Sequence, residues 1–225
     1  PVYVKGSSYD EIRLLAGAER ERARRRKVHE ASAGRIGYVA VRQMDMENYN
    51  KFEEEIFSEA WGKDALVIDL RGNFGGFTGD RLLSIVCGSD HSYAKSPNGI
   101  SGYLFSYWTK PIFSKPICVI VDEKTQSNGE IFAHAIKTLG RGKIVGRETA
   151  GEVIATYDRK ILDYGMLREP FWGWFLPDGT DMETCGAKPD VEVDFTPEDA
   201  AKGIDRRLDA AVEILGKEIR ERAGR

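Results

Sequence analysis

Two apolar runs constrain the fold most. Residues 65–70, "ALVIDL", are apolar except for Asp69, and a second run lies within "KPICVIVDE" at residues 115–123. Runs this short, rich in β-branched residues and without polar alternation, read as strands buried on both faces. Each is followed by a loop and a helical pattern, "DRLLSIVCG" after the first and "GEIFAHAIKTLG" after the second. Upstream, "RIGYVAVRQM" reads as a strand. "MENYNKFEEEIFSEAWG" reads as an amphipathic helix with Tyr49, Phe52, Ile56 and Ala60 on one stripe. "KIVGRET" adds a short strand downstream. The order β–α–β–α–β–α–β predicts an α/β fold with a mostly parallel sheet, whose strand C-termini carry the functional loops.

The flanks differ from this core. Residues 10–30 are charged and helical in propensity, and the basic run "ERERARRRK" has no interleaved aromatics to stack bases. It reads as a solvated helix or linker rather than a nucleic-acid arm. "SAG" at 32–34 ends it, which divides the chain into a connector, residues 1–34, and a core domain, residues 35–225. Residues 153–195 alternate, are rich in aromatics and contain the turn "PDG" at 177–179, as in antiparallel hairpins. Thr196 caps a terminal helix with Pro197 at its first position.

The 225 residues suffice for one sizeable core, and the net charge of −3 gives no general attraction to nucleic acid or an acidic membrane surface. No apolar run approaches the roughly 20 residues that span a bilayer. Cys87, Cys118 and Cys185 fit neither a zinc motif nor a disulfide framework, and no cluster has metal-ligand spacing. A reduced, cytoplasmic protein is the expectation, with a periplasmic or exported one the alternative if a leader lies upstream. The first residues, "PVYVKGSSYD", lack both Met and a secretory apolar region, so the chain reads as a fragment or a processed product.

The stretch "VDEKTQSNGEIFAHAIK", residues 121–137, carries the chemistry. Ser127-x-x-Glu130 fits a capping box, and the box alone favours a helix cap over a nucleophile. Yet strand, sharp turn, serine and helix also place a hydroxyl at the positive end of a helix, where backbone N–H groups can hold an oxyanion. The G-x-S-x-G elbow of many hydrolases is absent. The loop "LRGNFGG", residues 70–76, lacks dinucleotide-binding spacing, but its glycines let the backbone approach a ligand. Asp69 and Arg71 beside it could pair structurally. Trp172, Trp174 and Phe175 read as core or hairpin packing, or as walls of a substrate groove.

Five segments, "RIGYVAV", "ALVIDLRGNFGG", "KPICVIVDEKTQSNGEIFAHAIK", "GKIVGRETAG" and "LPDGTDMETCGAKPDVEV", resemble in this order the C-terminal processing serine peptidases, with the tricorn protease-like branch the better match. The resemblance spans roughly residues 35–215. It implies the crotonase-like (ClpP/crotonase) α/β core, a Ser127 nucleophile, and an oxyanion hole made by the N–H of Asn128 and of Gly75, with Gly76 as the alternative. The Lys of the processing branch falls on Glu152, so the Ser–Lys dyad is missing. The tricorn branch uses an upstream histidine supported by a glutamate, which "ETCGAKPD" offers as Glu183. His29, His91 and His134 do not match that histidine. His134 lies about 10 Å along the helix from Ser127 at the usual rise per residue.

The resemblance therefore implies a serine peptidase core acting on peptide or unfolded protein, without cofactor, nucleic acid or membrane. It also implies a homo-oligomer, an upstream PDZ domain, and a base contributed from elsewhere, so that residues 1–225 alone have little activity. The rival readings are an inactive binding module for peptide or hydrophobic ligand, and an acyl-thioester enzyme that uses the oxyanion hole without Ser127.

Overall fold

The computed structural model describes residues 6–87, 94–95, 101–102 and 112–224. In chain order the elements are α1 (Tyr9–Ala31), β1 (Ile36–Ala40), α2 (Met46–Glu55), β2 (Ala65–Asp69), α3 (Gly79–Val86), β3 (Ala94–Lys95) and β4 (Ser101–Gly102). Then come β5 (Ile117–Val121), α4 (Asn128–Thr138), β6 (Lys143–Gly146), β7 (Ala155–Ile161), β8 (Gly165–Trp172), β9 (Val191–Glu192), α5 (Pro197–Ala201) and α6 (Arg206–Ala223). A π-helical turn over Ile56–Ala60 extends α2.

The central sheet has five parallel strands in the order β1-β2-β5-β6-β9. Side chains alternate across a strand, so an unbroken apolar run supplies both faces. Leu66 and Ile68 of β2 join Phe52, Leu82 and Phe132 from α2, α3 and α4 in one core. Ala65 and Val67 join Val28 of α1 and Leu208 and Leu215 of α6 in the other. The mostly parallel sheet is as the sequence predicts, and within it β2 and β5 are neighbours.

Three elements depart from the sequence reading. "VEV" at 191–193 does not extend the antiparallel region: β9 adds in parallel to β6. The terminal helix is broken in two, because Gly203 takes φ 65° and Asp205 starts a new N-cap on Leu208 N–H. The basic run of α1 is not simply solvated. Arg24 reaches Asp69 and Asp205, Arg25 reaches Glu55, and Lys27 reaches Asp209, while Glu21 takes Arg42 and Lys51.

β7 and β8 form a separate hairpin, and Trp172, Trp174 and Phe175 at its end are 66%, 37% and 60% exposed, so none is a core residue. Among the described residues no helix is long and apolar enough to cross a membrane.

Candidate active site

The loops after β2 and β5 leave the same edge of the sheet because those strands are parallel neighbours. Their backbones are stitched together. Gly72 N–H donates to Asp122 Oδ1 at 2.9 Å, Gln126 N–H to the Asn73 carbonyl at 2.8 Å, and Thr125 Oγ1 to the Leu70 carbonyl at 3.0 Å. Asn73, fully buried, donates from Nδ2 to the Val41 carbonyl at 2.9 Å. The Asn128 Oδ1 accepts from Gly79 N–H at 2.6 Å, which ties the start of α3 to the start of α4.

An ionic cluster anchors the foot of the glycine loop. Asp69, fully buried, accepts from Tyr38 OH at 2.6 Å, from Arg71 Nε and Nη2 at 2.9 and 2.7 Å, and from Arg71 N–H at 3.0 Å. Arg71 also forks onto both oxygens of Asp205. Burial opposes the charged form of Asp69, but Arg71 beside it, with Arg24 and Arg42, holds the carboxyl well below the usual carboxylate range. Asp69 and Arg71 do pair, as the sequence suggests.

The glycine loop lies against the serine. A Cβ placed on Gly75 would stand 2.5 Å from Ser127 Cβ and 3.0 Å from both Ser127 Oγ and Asn128 N. Only glycine permits this approach, and φ 82° at Gly75 is itself a glycine conformation. Gly75 N–H donates to Asn73 Oδ1 at 2.8 Å, an Asx turn, and is thereby occupied. Among the described residues, neither Gly76 N–H nor Asn128 N–H has an acceptor.

Ser127 sits at φ 52°, ψ −122°, a strained conformation for a residue with a side chain. Ser127 and Glu130 keep the reciprocal capping-box arrangement, but no N–H donates to the Ser127 hydroxyl with hydrogen-bond geometry. Glu130 N–H donates instead to the Ser127 carbonyl at 2.9 Å. Ser127 N–H faces the Glu152 carbonyl at 2.9 Å and Glu130 Oε1 at 3.1 Å.

Glu130 is the residue whose reach the sequence does not display. Fully buried, it accepts from Ser127, Gly151 and Glu152 N–H at 3.1, 2.6 and 2.8 Å and from the Thr149 hydroxyl. Thr149 in turn accepts from Ala187 N–H at 2.7 Å. Glu183 borders the same turn: its Oε2 accepts from Val153 and Ile154 N–H at 2.8 and 3.0 Å. Residues 127–130, 149–154 and 183–187 therefore form one hydrogen-bonded unit, which brings Glu183 to the loop beside Ser127.

Glu152 is exposed. His134 is buried on α4 and its Nε2 lies 3.3 Å from the Cys185 carbonyl; burial lowers its pKa. His29 is exposed at the end of α1, and His91 lies outside the described residues. Among the described residues no histidine bonds to Ser127, and no three His, Cys, Asp or Glu side chains are grouped to hold a metal ion.

A strained serine between two facing loops, with uncommitted N–H groups beside it, has the makings of an acyl-transfer site. The chain belongs to peptidase family S41, whose model matches residues 35–193. It is 34% identical over 213 residues to the tricorn protease of Thermoplasma acidophilum, which covers 94% of this chain and 19% of that protein. It is 32% identical to a putative tricorn-like protease C-terminal subunit of Sulfurisphaera tokodaii, over 88% of this chain and 23% of that one. The crystal structure of the tricorn protease superposes with a TM-score of 0.76 at 31% identity, covering 88% of this chain and 19% of the other. A photosystem II D1 C-terminal processing protease shares the fold at a TM-score of 0.56 and 24% identity, over 80% of this chain and 46% of that one. The chain thus spans 19–23% of the length of these two curated relatives.

Proposed function

We propose that this chain is the crotonase-like catalytic core of a tricorn-like serine peptidase. Ser127 Oγ attacks a peptide carbonyl as its proton passes to the base. The C–N bond breaks and the amine leaves with that proton. Water then hydrolyses the acyl-enzyme ester to free the carboxylic acid and Ser127. Asn128 N–H holds the developing oxyanion together with a donor from the glycine loop. Gly76 serves better than Gly75 as that donor, because the Gly75 N–H is already bonded to Asn73. The base is a histidine contributed from outside residues 1–225, and Glu183, at the edge of the 153–154 turn, supports it. Peptides or unfolded chains are the substrates. A homo-oligomer with an upstream PDZ domain is the setting the tricorn resemblance suggests, and the scattered cysteines suggest the cytoplasm.

The observation that carries this reading is Ser127 itself: positive φ, an uncapped hydroxyl, and Gly75 packed against it. The absence of Lys at position 152, and of a histidine bonded to Ser127 among the described residues, favours the rival, an inactive binding module. One experiment separates the two. In the full-length protein, hydrolysis of a fluorogenic peptide is expected to vanish in Ser127→Ala; a wild type that binds peptide without turning it over is the binding module.

A further inference from the structure

We propose that Glu130 is a positioning residue: it holds Ser127 out of the helix-cap conformation and so keeps the hydroxyl free to react. This rests on Ser127 being the nucleophile. Among the described residues there are two other capping boxes. Ser8 lies at φ −68°, ψ 160° and its Oγ accepts from Glu11 N–H at 3.2 Å. Thr196 lies at φ −99°, ψ 155° and its Oγ1 accepts from Asp199 N–H at 3.1 Å. Both are ordinary N-caps in extended backbone, with the hydroxyl consumed. Ser127-x-x-Glu130 keeps the same reciprocal arrangement, yet Ser127 is at positive φ and the Glu130 N–H bonds its carbonyl rather than its hydroxyl.

The difference lies in what the acidic residue holds. Glu11 and Asp199 accept from the N–H of their own cap residue, and although Asp199 also takes the Arg206 guanidinium, neither is bonded to a second backbone segment that faces the cap N–H. Glu130 accepts from its cap N–H as well, but is also locked to the turn 149–152 by Thr149, Gly151 and Glu152. That turn presents the Glu152 carbonyl to the same Ser127 N–H. The serine N–H is thus pulled toward the turn from two acceptors at once, and the backbone around it is held in the strained state. The strain persists because the surrounding bonds over-determine it. Without them the serine is free to relax into the cap its sequence encodes.

The bonding pattern makes the prediction sharp. Both Glu130 oxygens accept from backbone N–H groups, which cannot turn round. Glutamine has nearly the same shape, but its NH2 must face one of those donors. Glu130→Gln is therefore expected to act as a loss, not as a conservative change. Its kcat on a fluorogenic peptide in the full-length protein should fall about 100-fold, the usual effect of displacing a reacting group by about 1 Å, with KM changed less than about threefold. Its crystal structure should show Ser127 at negative φ with Oγ accepting from the N–H of residue 130.

If that variant does not fold, Thr149→Val, which removes one donor to Glu130 and the acceptor of Ala187 N–H but leaves the carboxylate in place, should lower kcat about 10-fold and leave KM alone. Serine-dependent turnover that Glu130→Gln leaves at the wild-type kcat, or a variant structure with Ser127 still at positive φ, overturns this proposal alone. Turnover that survives Ser127→Ala overturns the nucleophile reading and this proposal with it.

Discussion

Gly75→Ala probes the contact between the two loops directly. The residue is at φ 82°, and left-handed backbone costs a residue with a Cβ about 1–2 kcal/mol. The new methyl would stand 2.5 Å from Ser127 Cβ, well inside the roughly 3.5–4.0 Å that carbon atoms prefer. Its surroundings are the Ser127 side chain and the Asn128 backbone, so relief needs a shift of about 1 Å in the loop; overpacking of this kind costs about 1–3 kcal/mol. The total is about 2–5 kcal/mol. Gly72→Ala is the matched control: Gly72 is at φ 67°, but a Cβ there meets nothing within 4 Å. It should lose only the conformational part, about 1–2 kcal/mol. Urea denaturation of both variants with the wild type reads the difference. In the full-length enzyme the same shift should lower peptide hydrolysis about 100-fold in Gly75→Ala, while Gly72→Ala stays within a few-fold of wild type. Equal stabilities for the two variants, or full activity in Gly75→Ala, would refute the close approach of the loop to Ser127.

Three further outcomes follow from the same geometry. Ser127→Ala should change stability by less than about 0.5 kcal/mol, because no cap bond is lost; a loss of about 1–2 kcal/mol in urea denaturation would show that the hydroxyl caps α4 after all. Asp69→Asn should cost up to about 3–5 kcal/mol at pH 7 by leaving the buried Arg71 with Asp205 as its remaining carboxylate. Because the folded-state pKa of Asp69 is depressed, its contribution is complete above the unfolded value of about 4 and is lost as pH falls toward the folded value, so the wild type should lose stability below about pH 4 more steeply than Asp69→Asn; parallel urea midpoints from pH 5 to 2 would contradict this. Residues 1–225 alone should show little peptidase activity, since loss of the base can cost a factor of roughly 10⁶; robust turnover that disappears on mutating His29, His91 or His134 would place the base within the chain.

The sheet could be read from the sequence because strands buried on both faces leave continuous apolar runs, and "ALVIDL" and "ICVIV" are such runs. The neighbouring loops followed from parallel topology alone, and with them the meeting of Gly75 and Ser127. What the sequence withheld is backbone conformation. A capping box is written in the same letters whether its serine is extended, as at Ser8, or at positive φ, as at Ser127. The extra partners of Glu130 come from a turn about 20 residues away and leave no periodic trace. The occupied Gly75 N–H had a local signal: Asn two residues ahead of Gly in "NFG" is Asx-turn spacing. The acids that meet the basic run of α1 lie as far off as Asp209, so composition made it look solvated. The motif order identified the family, and the family model over residues 35–193 bears that out.

The most direct test of the account is to locate the reacting atom. The full-length protein, folded and urea-denatured, is treated with a fluorophosphonate, digested, and mapped by mass spectrometry. A single adduct on Ser127, formed only in the folded protein and lost in Ser127→Ala, is the expected result. An adduct on another residue, or an unmodified Ser127 in a protein that still hydrolyses peptides, would contradict it.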